Sequence, residues 1–124
     1  TKALCDYLVQ SGLPAERVFL IGNFVPDPVG ASPEQVEALR AEWALPKDAW
    51  TLFALGRLIE KKGFHDLLKA ASLLPPEING RPWVLLIAGT GPLEAELKAL
   101  AAQLQLGHRV RWLGWQDPPD AFYA

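Results

Sequence analysis

The chain has 124 residues, of which 50% are hydrophobic and 21% are charged, and its formal net charge is −2. This size and composition suit one modest globular domain. The acidic balance and the lack of a basic block argue against non-specific binding to DNA or RNA. Cys5 is the only cysteine, so no internal disulfide can form, and no stretch approaches the ~20 consecutive apolar residues of a membrane-spanning helix.

The first third of the chain predicts a helix, a short strand and a linker. Apolar residues recur at helical spacing over residues 1–11, and Gly12 marks the end of this predicted helix. The short apolar run Val18–Ile21 predicts a strand. Residues 23–32 combine glycine and proline with no periodicity, which predicts a linker.

A second helix has a predicted start that rests on capping chemistry. Ser32 can accept a hydrogen bond at the helix end, Pro33 suits the first helical position, and Gln35 stands where its side chain can bond back to the cap. Pro46 is predicted to end this helix. Its predicted buried stripe consists of Val36, Leu39 and Trp43.

From residue 49 onward, short apolar runs alternate with amphipathic stretches, which predicts a parallel sheet with helical crossovers. The runs at 51–55 and 84–88 lack polar alternation, as strands do when both faces of the sheet are covered. The predicted strands cover 51–55, 83–88 and 109–113, and the predicted helices cover 64–74, 92–105 and the residues from Pro118 onward.

Two cations follow the first of these strands. Ligands of parallel sheets bind beyond the carboxyl ends of the strands. Gly56 allows a ligand to approach the backbone, Arg57 offers a planar fork for two phosphate oxygens, and Lys62 is a mobile point charge. These residues could hold a diphosphate without a metal ion. Basic residues are also common in solvated surface loops, so both interpretations stay open at this point.

The second strand is followed by a glycine-rich turn. The segment Gly89-Thr90-Gly91-Pro92 predicts a turn into a helix N-terminus, which favours an anion. The dinucleotide-binding fingerprint would need a glycine at position 94, where this chain has glutamate. An ordinary strand–helix turn remains the alternative.

The third strand is followed by Gly114 and Trp115, whose ring could cover an aromatic ligand while backbone groups read a base edge. Packing in the core is the alternative, and it is favoured for Trp112. His65 and His108 belong to no zinc-binding or catalytic pattern, so solvated or capping roles and no metal site are predicted.

The segments Val18–Val25, Leu55–Phe64, Leu86–Pro92 and Val110–Trp115 stand in a characteristic order and spacing. Together they resemble the retaining, metal-independent glycosyltransferases of the GT-B architecture, specifically the large family-4 group. The resemblance covers nearly the whole chain, and the set of four segments is far more specific than any one of them.

The resemblance implies an α/β fold: a Rossmann-like parallel sheet with flanking helices, forming an incomplete GT-B C-terminal domain. Residues 1–24 would be the end of the acceptor-side N-terminal domain. Residues 25–48 would be the interdomain linker and its helix, and residues 49–124 the first half of the nucleotide-sugar-binding domain.

The resemblance also implies roles for individual residues. Arg57 and Lys62 would be catalytic, because they hold the diphosphate and offset the negative charge that grows as it leaves. The sugar would pass from a nucleotide-diphosphate sugar to the acceptor with retention of configuration, with no metal ion and no separate cofactor. The donor-binding residues would be Gly56, Arg57, Lys62, Gly89, Thr90, Gly91, Gly114 and Trp115.

Parts of the family's pattern would lie outside this sequence. Its glutamate-rich segment would follow Ala124, and its acceptor domain would precede Thr1, so we expect the chain to be an inactive part of a longer enzyme. The family's usual Asn-Gly-Val-Asp is replaced by Asn23-Phe24-Val25-Pro26. The family implies a carbohydrate or lipid acceptor, and a cytoplasmic location that allows peripheral association with a membrane.

A different class of function is compatible with the alternation of strands and helices alone. A non-catalytic nucleotide-binding or interaction module of the flavodoxin-like type would show the same alternation, since a fold does not fix a function. Binding of a nucleoside diphosphate that depends on Arg57 would favour the transferase.

Overall fold

The structure is a computed structural model that describes residues 1–22 and 30–117. The predicted domain boundary at 24/25, the segment Asn23–Pro26 and the predicted helix from Pro118 onward lie outside these residues. The helices are α1 (Lys2–Gln10), α2 (Pro33–Glu42), α3 (Phe64–Ser72) and α4 (Glu94–Gln103), with short 3-10 helices at Ala15–Arg17 and Glu60–Lys62; the strands are β1 (Trp50–Leu55), β2 (Glu77–Ile78), β3 (Arg81–Ala88) and β4 (Val110–Gly114).

Strand β3 lies at the centre of the sheet. It pairs in parallel with β1, from Trp50 opposite Trp83 to Leu55 opposite Ala88. It also pairs in parallel with β4, beginning with Leu85 opposite Val110. Helices α3 and α4 lie in the two crossovers. The predicted α/β fold with a parallel sheet and flanking helices is therefore confirmed.

Successive residues of β3 enter two different cores, which explains why this strand shows no polar alternation. Val84, Leu86 and Ala88 pack with Ala49 and Leu113. The alternate residues pack against α3 and α4 on the other side of the strand. That second core contains Leu58, Phe64, Leu68, Ala71, Trp83, Leu85, Ile87, Leu97, Ala101, Leu106 and Val110.

Two arginines at the amino ends of the strands stack on tryptophan rings. The Arg81 guanidinium lies 4.4 Å from the centre of the Trp50 ring, and its Nε donates to the carbonyl oxygen of Asp48 at 2.6 Å. The Arg109 guanidinium lies 4.8 Å from the centre of the Trp83 ring, and its Nη1 donates to the carbonyl oxygen of that residue at 3.3 Å. Each of these cations thus stacks on one aromatic ring and donates to one carbonyl oxygen.

The start of α2 forms the predicted capping box. The Gln35 amide donates to Ser32 Oγ at 3.3 Å, and the Ser32 amide donates to Gln35 Oε1 at 2.8 Å. The helix ends at Glu42, so the prediction that it runs to Pro46 is wrong. Ala44 adopts a left-handed φ of 48°, which lets the next residue, Leu45, bond back to the helix.

The strand predicted at Val18–Ile21 does not form. No strand pairs with this segment in the described part of the chain, and Phe19 is 77% exposed. An apolar run becomes a strand only when a neighbouring strand accepts its backbone hydrogen bonds. Instead of pairing with a strand, this segment lies beside α1 and lines an apolar groove together with it; Leu4, Leu8 and Leu20 are among the lining residues.

Strand β2 was not predicted. It pairs antiparallel with the start of β3 through a tight turn at Asn79 and Gly80, whose φ angles are 52° and 72°. Asn-Gly is the strongest local signal for such a turn, because both residues tolerate a positive φ. In the described residues, no helix has the length and apolar character needed to cross a membrane.

We predict that Leu85→Ala lowers the free energy of unfolding by about 2–5 kcal/mol, because Leu85 is 1% exposed at the centre of the sheet. Leu73→Ala removes the same atoms from a residue that is 85% exposed, so the free energy of unfolding should change by less than about 0.5 kcal/mol. Urea unfolding followed by tryptophan fluorescence measures both. Equal effects would contradict the assigned core.

Candidate functional site

The loops that follow β1 and β3 are joined by backbone hydrogen bonds beyond the ends of the strands. The Gly56 amide donates to the carbonyl oxygen of Ala88 at 3.0 Å, and the Leu58 amide donates to that of Thr90 at 3.0 Å. The Leu93 amide returns a bond to the carbonyl oxygen of Leu58 at 3.2 Å. Because Leu58 is fully buried, this pairing fixes the chain on either side of Arg57.

Two glycines make this close approach sterically feasible. A Cβ on Gly89 would collide with the carbonyl oxygen of Gly56 and lie 2.9 Å from its carbonyl carbon; Gly89 also has a φ of 127°. A Cβ on Gly91 would collide with the carbonyl oxygen of Leu58 and lie 2.8 Å from its backbone nitrogen. Any other residue at these positions would push the two loops apart.

The end of β4 joins the same region through one backbone bond. The Gly89 amide donates to the carbonyl oxygen of Gly114 at 2.6 Å, and Gly114 has a φ of 66°. The pairing of β3 with β4 shifts register between Ile87 and Ala88, which is a β-bulge. The loops after β1, β3 and β4 therefore meet at one edge of the sheet.

These loops enclose a pocket of about 550 Å³, a size within the range of small-molecule sites. Six of the residues predicted to bind a donor line it, whereas Lys62 and Gly114 do not. The lining residues are Leu55, Gly56, Arg57, Gly89, Thr90, Gly91, Trp115, Gln116 and Asp117.

Lys62 stands beside the pocket, next to Gly56. It ends the 3-10 helix Glu60–Lys62, and Gly63, with a φ of 69°, turns the chain into α3. A Cβ on Gly56 would lie 3.9 Å from Lys62 Cδ and 3.7 Å from the Phe64 ring. The side chain of Lys62 thus lies close to Gly56, which lines the pocket together with Arg57.

Arg57 and Lys62 are both exposed, and within residues 1–22 and 30–117 neither side chain makes an ion pair or a hydrogen bond. They differ in this respect from Arg81 and Arg109 at the opposite end of the strands. Two cations that lack an internal partner are available to an anionic ligand.

Trp115 lines the pocket with its side chain 74% exposed. Trp112 is half-buried against the core, which agrees with the packing role favoured for it. Gln116 and Asp117 also line the pocket but were not predicted as site residues. The sequence feature that could have indicated a binding role for Gln116 and Asp117 is their position directly after a strand that ends at the same edge of the sheet.

The two histidines have different surroundings. The prediction that His65 is solvated or caps a helix is wrong, because its Nε2 lies 2.8 Å from Glu96 Oε1 and its side chain is 19% exposed. His108 is exposed. In the described ranges, no three histidine, cysteine or acidic side chains are placed to hold a metal ion.

A sequence profile of the family described as "Glycosyl transferases group 1" matches residues 35–124. The chain belongs to this family. This group 1 glycosyltransferase chain is 39% identical over 85 residues, 68% of its length, to the lipopolysaccharide core biosynthesis glycosyltransferase LpsE of Rhizobium meliloti (strain 1021). It is 30% identical over 91 residues, 73% of its length, to the 2-deoxystreptamine glucosyltransferase of Streptomyces kanamyceticus. The chain spans 23% of the length of each of these relatives.

Solved structures share the fold of this group 1 chain. Anabaena Alr3699/HepE, solved in complex with UDP and glucose, superposes with a TM-score of 0.72 at 24% identity, over 94% of this chain and 32% of that one. A glycosyltransferase from Rickettsia africae ESF-5 superposes with a TM-score of 0.78 at 19% identity, over 99% of this chain and 34% of that one.

We predict that Gly91→Ala destabilises the chain by about 1–3 kcal/mol, because the added methyl group overlaps the backbone of Leu58. Gly107→Ala is the matched control, since a Cβ there meets nothing within 4 Å. Urea unfolding of both variants measures the difference. A Gly91→Ala variant as stable as the control would contradict the close approach of the two loops.

Proposed function

We propose that the protein is a glycosyltransferase that binds a nucleoside-diphosphate sugar in the 550 Å³ pocket and transfers the sugar with retention and without a metal ion. One observation carries this proposal. Arg57 and Lys62, which have no ion pair in the described residues, stand on and beside the wall of a pocket where three strand ends meet.

The charges and donors of the two loops suit a diphosphate. The guanidinium of Arg57 can bond two phosphate oxygens at once, and the ammonium of Lys62 adds a second positive charge. Each charge-assisted bond contributes about 1.5–3 kcal/mol, and the lower figure applies while water screens the exposed side chains. The amides of Thr90 and Gly91 donate to no group in the described residues, so they add neutral donors on the same wall.

The same two cations suit the chemistry of the leaving group. When the bond between the anomeric carbon and the diphosphate oxygen breaks, negative charge grows on the diphosphate. A guanidinium and an ammonium already in place stabilise that charge more in the transition state than in the ground state. This is the role that a divalent cation would otherwise fill. Retention and metal independence rest on the resemblance of the four sequence segments.

The relatives support the type of donor and acceptor. Structures of Anabaena HepE with UDP and with UDP-glucose make a nucleotide sugar the natural donor to propose here. The name of LpsE refers to lipopolysaccharide core biosynthesis. We propose a carbohydrate or lipid-linked acceptor, bound by parts of the enzyme outside this sequence, and a cytoplasmic enzyme that associates peripherally with a membrane.

The domain plan is part of the proposal. Residues 49–124 would belong to the donor-binding domain, residues 1–24 to the acceptor side, and residues 25–48 to the connection between them. The chain alone would bind the donor diphosphate but would not transfer sugar. Membership of the group 1 family supports a transferase over a non-catalytic flavodoxin-like module.

We expect Arg57→Ala and Lys62→Ala each to weaken binding of a nucleoside diphosphate about tenfold, because each removes one charge-assisted contact. Calorimetric titration of the 124-residue chain with UDP, GDP and ADP measures this. Lys61→Ala is the matched control, since it removes the same charge from the neighbouring position. If Lys61→Ala and Lys62→Ala weakened binding equally, the loss of affinity would reflect the change in net charge and not a specific contact of Lys62.

In the intact protein that contains this chain, Arg57→Ala should lower kcat/KM by about 10² to 10³, since it removes one stabilising contact from the leaving diphosphate. EDTA should leave the wild-type rate unchanged, because the two side chains supply the positive charge. Transfer of radiolabelled sugar from the nucleotide donor measures both. A rate abolished by EDTA and restored by Mg²⁺ would contradict the metal-free mechanism.

A further inference from the structure

His65 connects two segments that are distant in sequence. It lies in the first turn of α3, and its Nε2 is 2.8 Å from Oε1 of Glu96, in the first turn of α4. Its Nδ1 is 3.9 Å from Oε2 of Glu60, which is an ion-pair distance when the imidazole is protonated. Because an ionised carboxylate only accepts hydrogen bonds, Nε2 carries the hydrogen and donates to Glu96.

The two glutamates belong to the two segments that carry the anion-binding groups. Glu60 begins the 3-10 helix that ends at Lys62. Glu96 lies five residues after Gly91, in the helix that follows the glycine-rich turn. Backbone bonds from Leu58 to Thr90 and from Leu93 to Leu58 join these two segments, and the side chain of His65 contacts both.

The 3-10 helix that carries Lys62 has little else to hold it. It is three residues long, none of them buried, and it is closed by two backbone bonds: Lys62 amide to Ile59 oxygen at 3.0 Å and Gly63 amide to Glu60 oxygen at 3.1 Å. Within the described residues, the side chains of this short helix make one charged contact, that of Glu60 Oε2 with His65 Nδ1, which is an ion pair when the imidazole is protonated. Phe64, the next buried anchor, lies beyond the left-handed Gly63.

We propose that His65 is a positioning residue that holds the Glu60–Lys62 turn against α4, so that the side chain of Lys62 stays beside Gly56 and its ammonium can reach the diphosphate. His65 acts through Lys62 and does not itself contact the ligand. This inference rests on the proposed function, since it assigns His65 to the same donor site.

The first test needs no ligand. Amide hydrogen exchange of Lys62 and Gly63, followed by NMR, should quicken about two- to fivefold in His65→Ala, as expected for the loss of a partly exposed pair. His65→Gln keeps a donor for Glu96 but has no charge and no donor for Glu60, so it should exchange as fast as His65→Ala. Asp66→Asn, which changes the neighbouring residue of α3, is the control. Unchanged exchange in His65→Ala would overturn the inference.

The second test measures binding. The chain is titrated with UDP, GDP and ADP, and the nucleotide that binds most tightly is used for the variants. His65→Ala should weaken its binding about two- to fivefold, and so should His65→Gln, which also lacks the contact with Glu60. In a Lys62→Ala background, His65→Ala should have no further effect. An equal loss in both backgrounds would overturn the proposal that His65 acts through Lys62.

The outcomes separate this inference from the function on which it rests. Wild-type binding that His65→Ala leaves unchanged would overturn the role of His65 alone. Failure of the wild type to bind any of the three nucleotides would refute the proposed donor site, and with it the role of His65 at that site.

Discussion

The candidate site depends on one steric constraint, the close contact of two backbones at Gly89 and Gly91. Because neither glycine has a Cβ, the loop after β3 lies directly on the carbonyl groups of Gly56 and Leu58. The backbone polar groups on the inner side of both loops pair with each other. The side chain of Arg57 must then point away from this contact, towards the pocket that it lines. The geometry of the cationic site is thus set by residues that have no side chain.

In the proposed site, a fixed backbone would let the two exposed cations, Arg57 and Lys62, act on one ligand. An exposed guanidinium or ammonium is well solvated, so its attraction to a distant anion is weak. Preorganisation compensates for this, since the ligand need not order the loops when it binds. Buried Leu58 directly follows Arg57, and buried Phe64 lies two residues after Lys62.

Much of the fold could be predicted from the sequence because local signals and burial agree. The strand β3 and the capping box at Ser32 both formed as predicted.

The predictions failed where contacts between residues distant in sequence decide the structure. Val18–Ile21 has the composition of a strand but no pairing partner in the described residues. Helix α2 ends at Glu42, and the left-handed residue that follows it is Ala44, where a glycine would have been the usual sequence signal. The pairing of His65 with Glu96 joins residues 31 positions apart, which no spacing rule could anticipate.

The arginines stacked on Trp50 and Trp83 make the two ends of the sheet differ in a way that the chain's net charge of −2 does not show. An anion that reaches the amino ends of the strands meets guanidinium groups already engaged by aromatic faces and carbonyl oxygens. At the carboxyl ends, the corresponding groups offer their full hydrogen-bonding capacity to solvent. In the proposed function, an acidic chain thus attracts a phosphate at the carboxyl ends of its strands without any excess of basic residues.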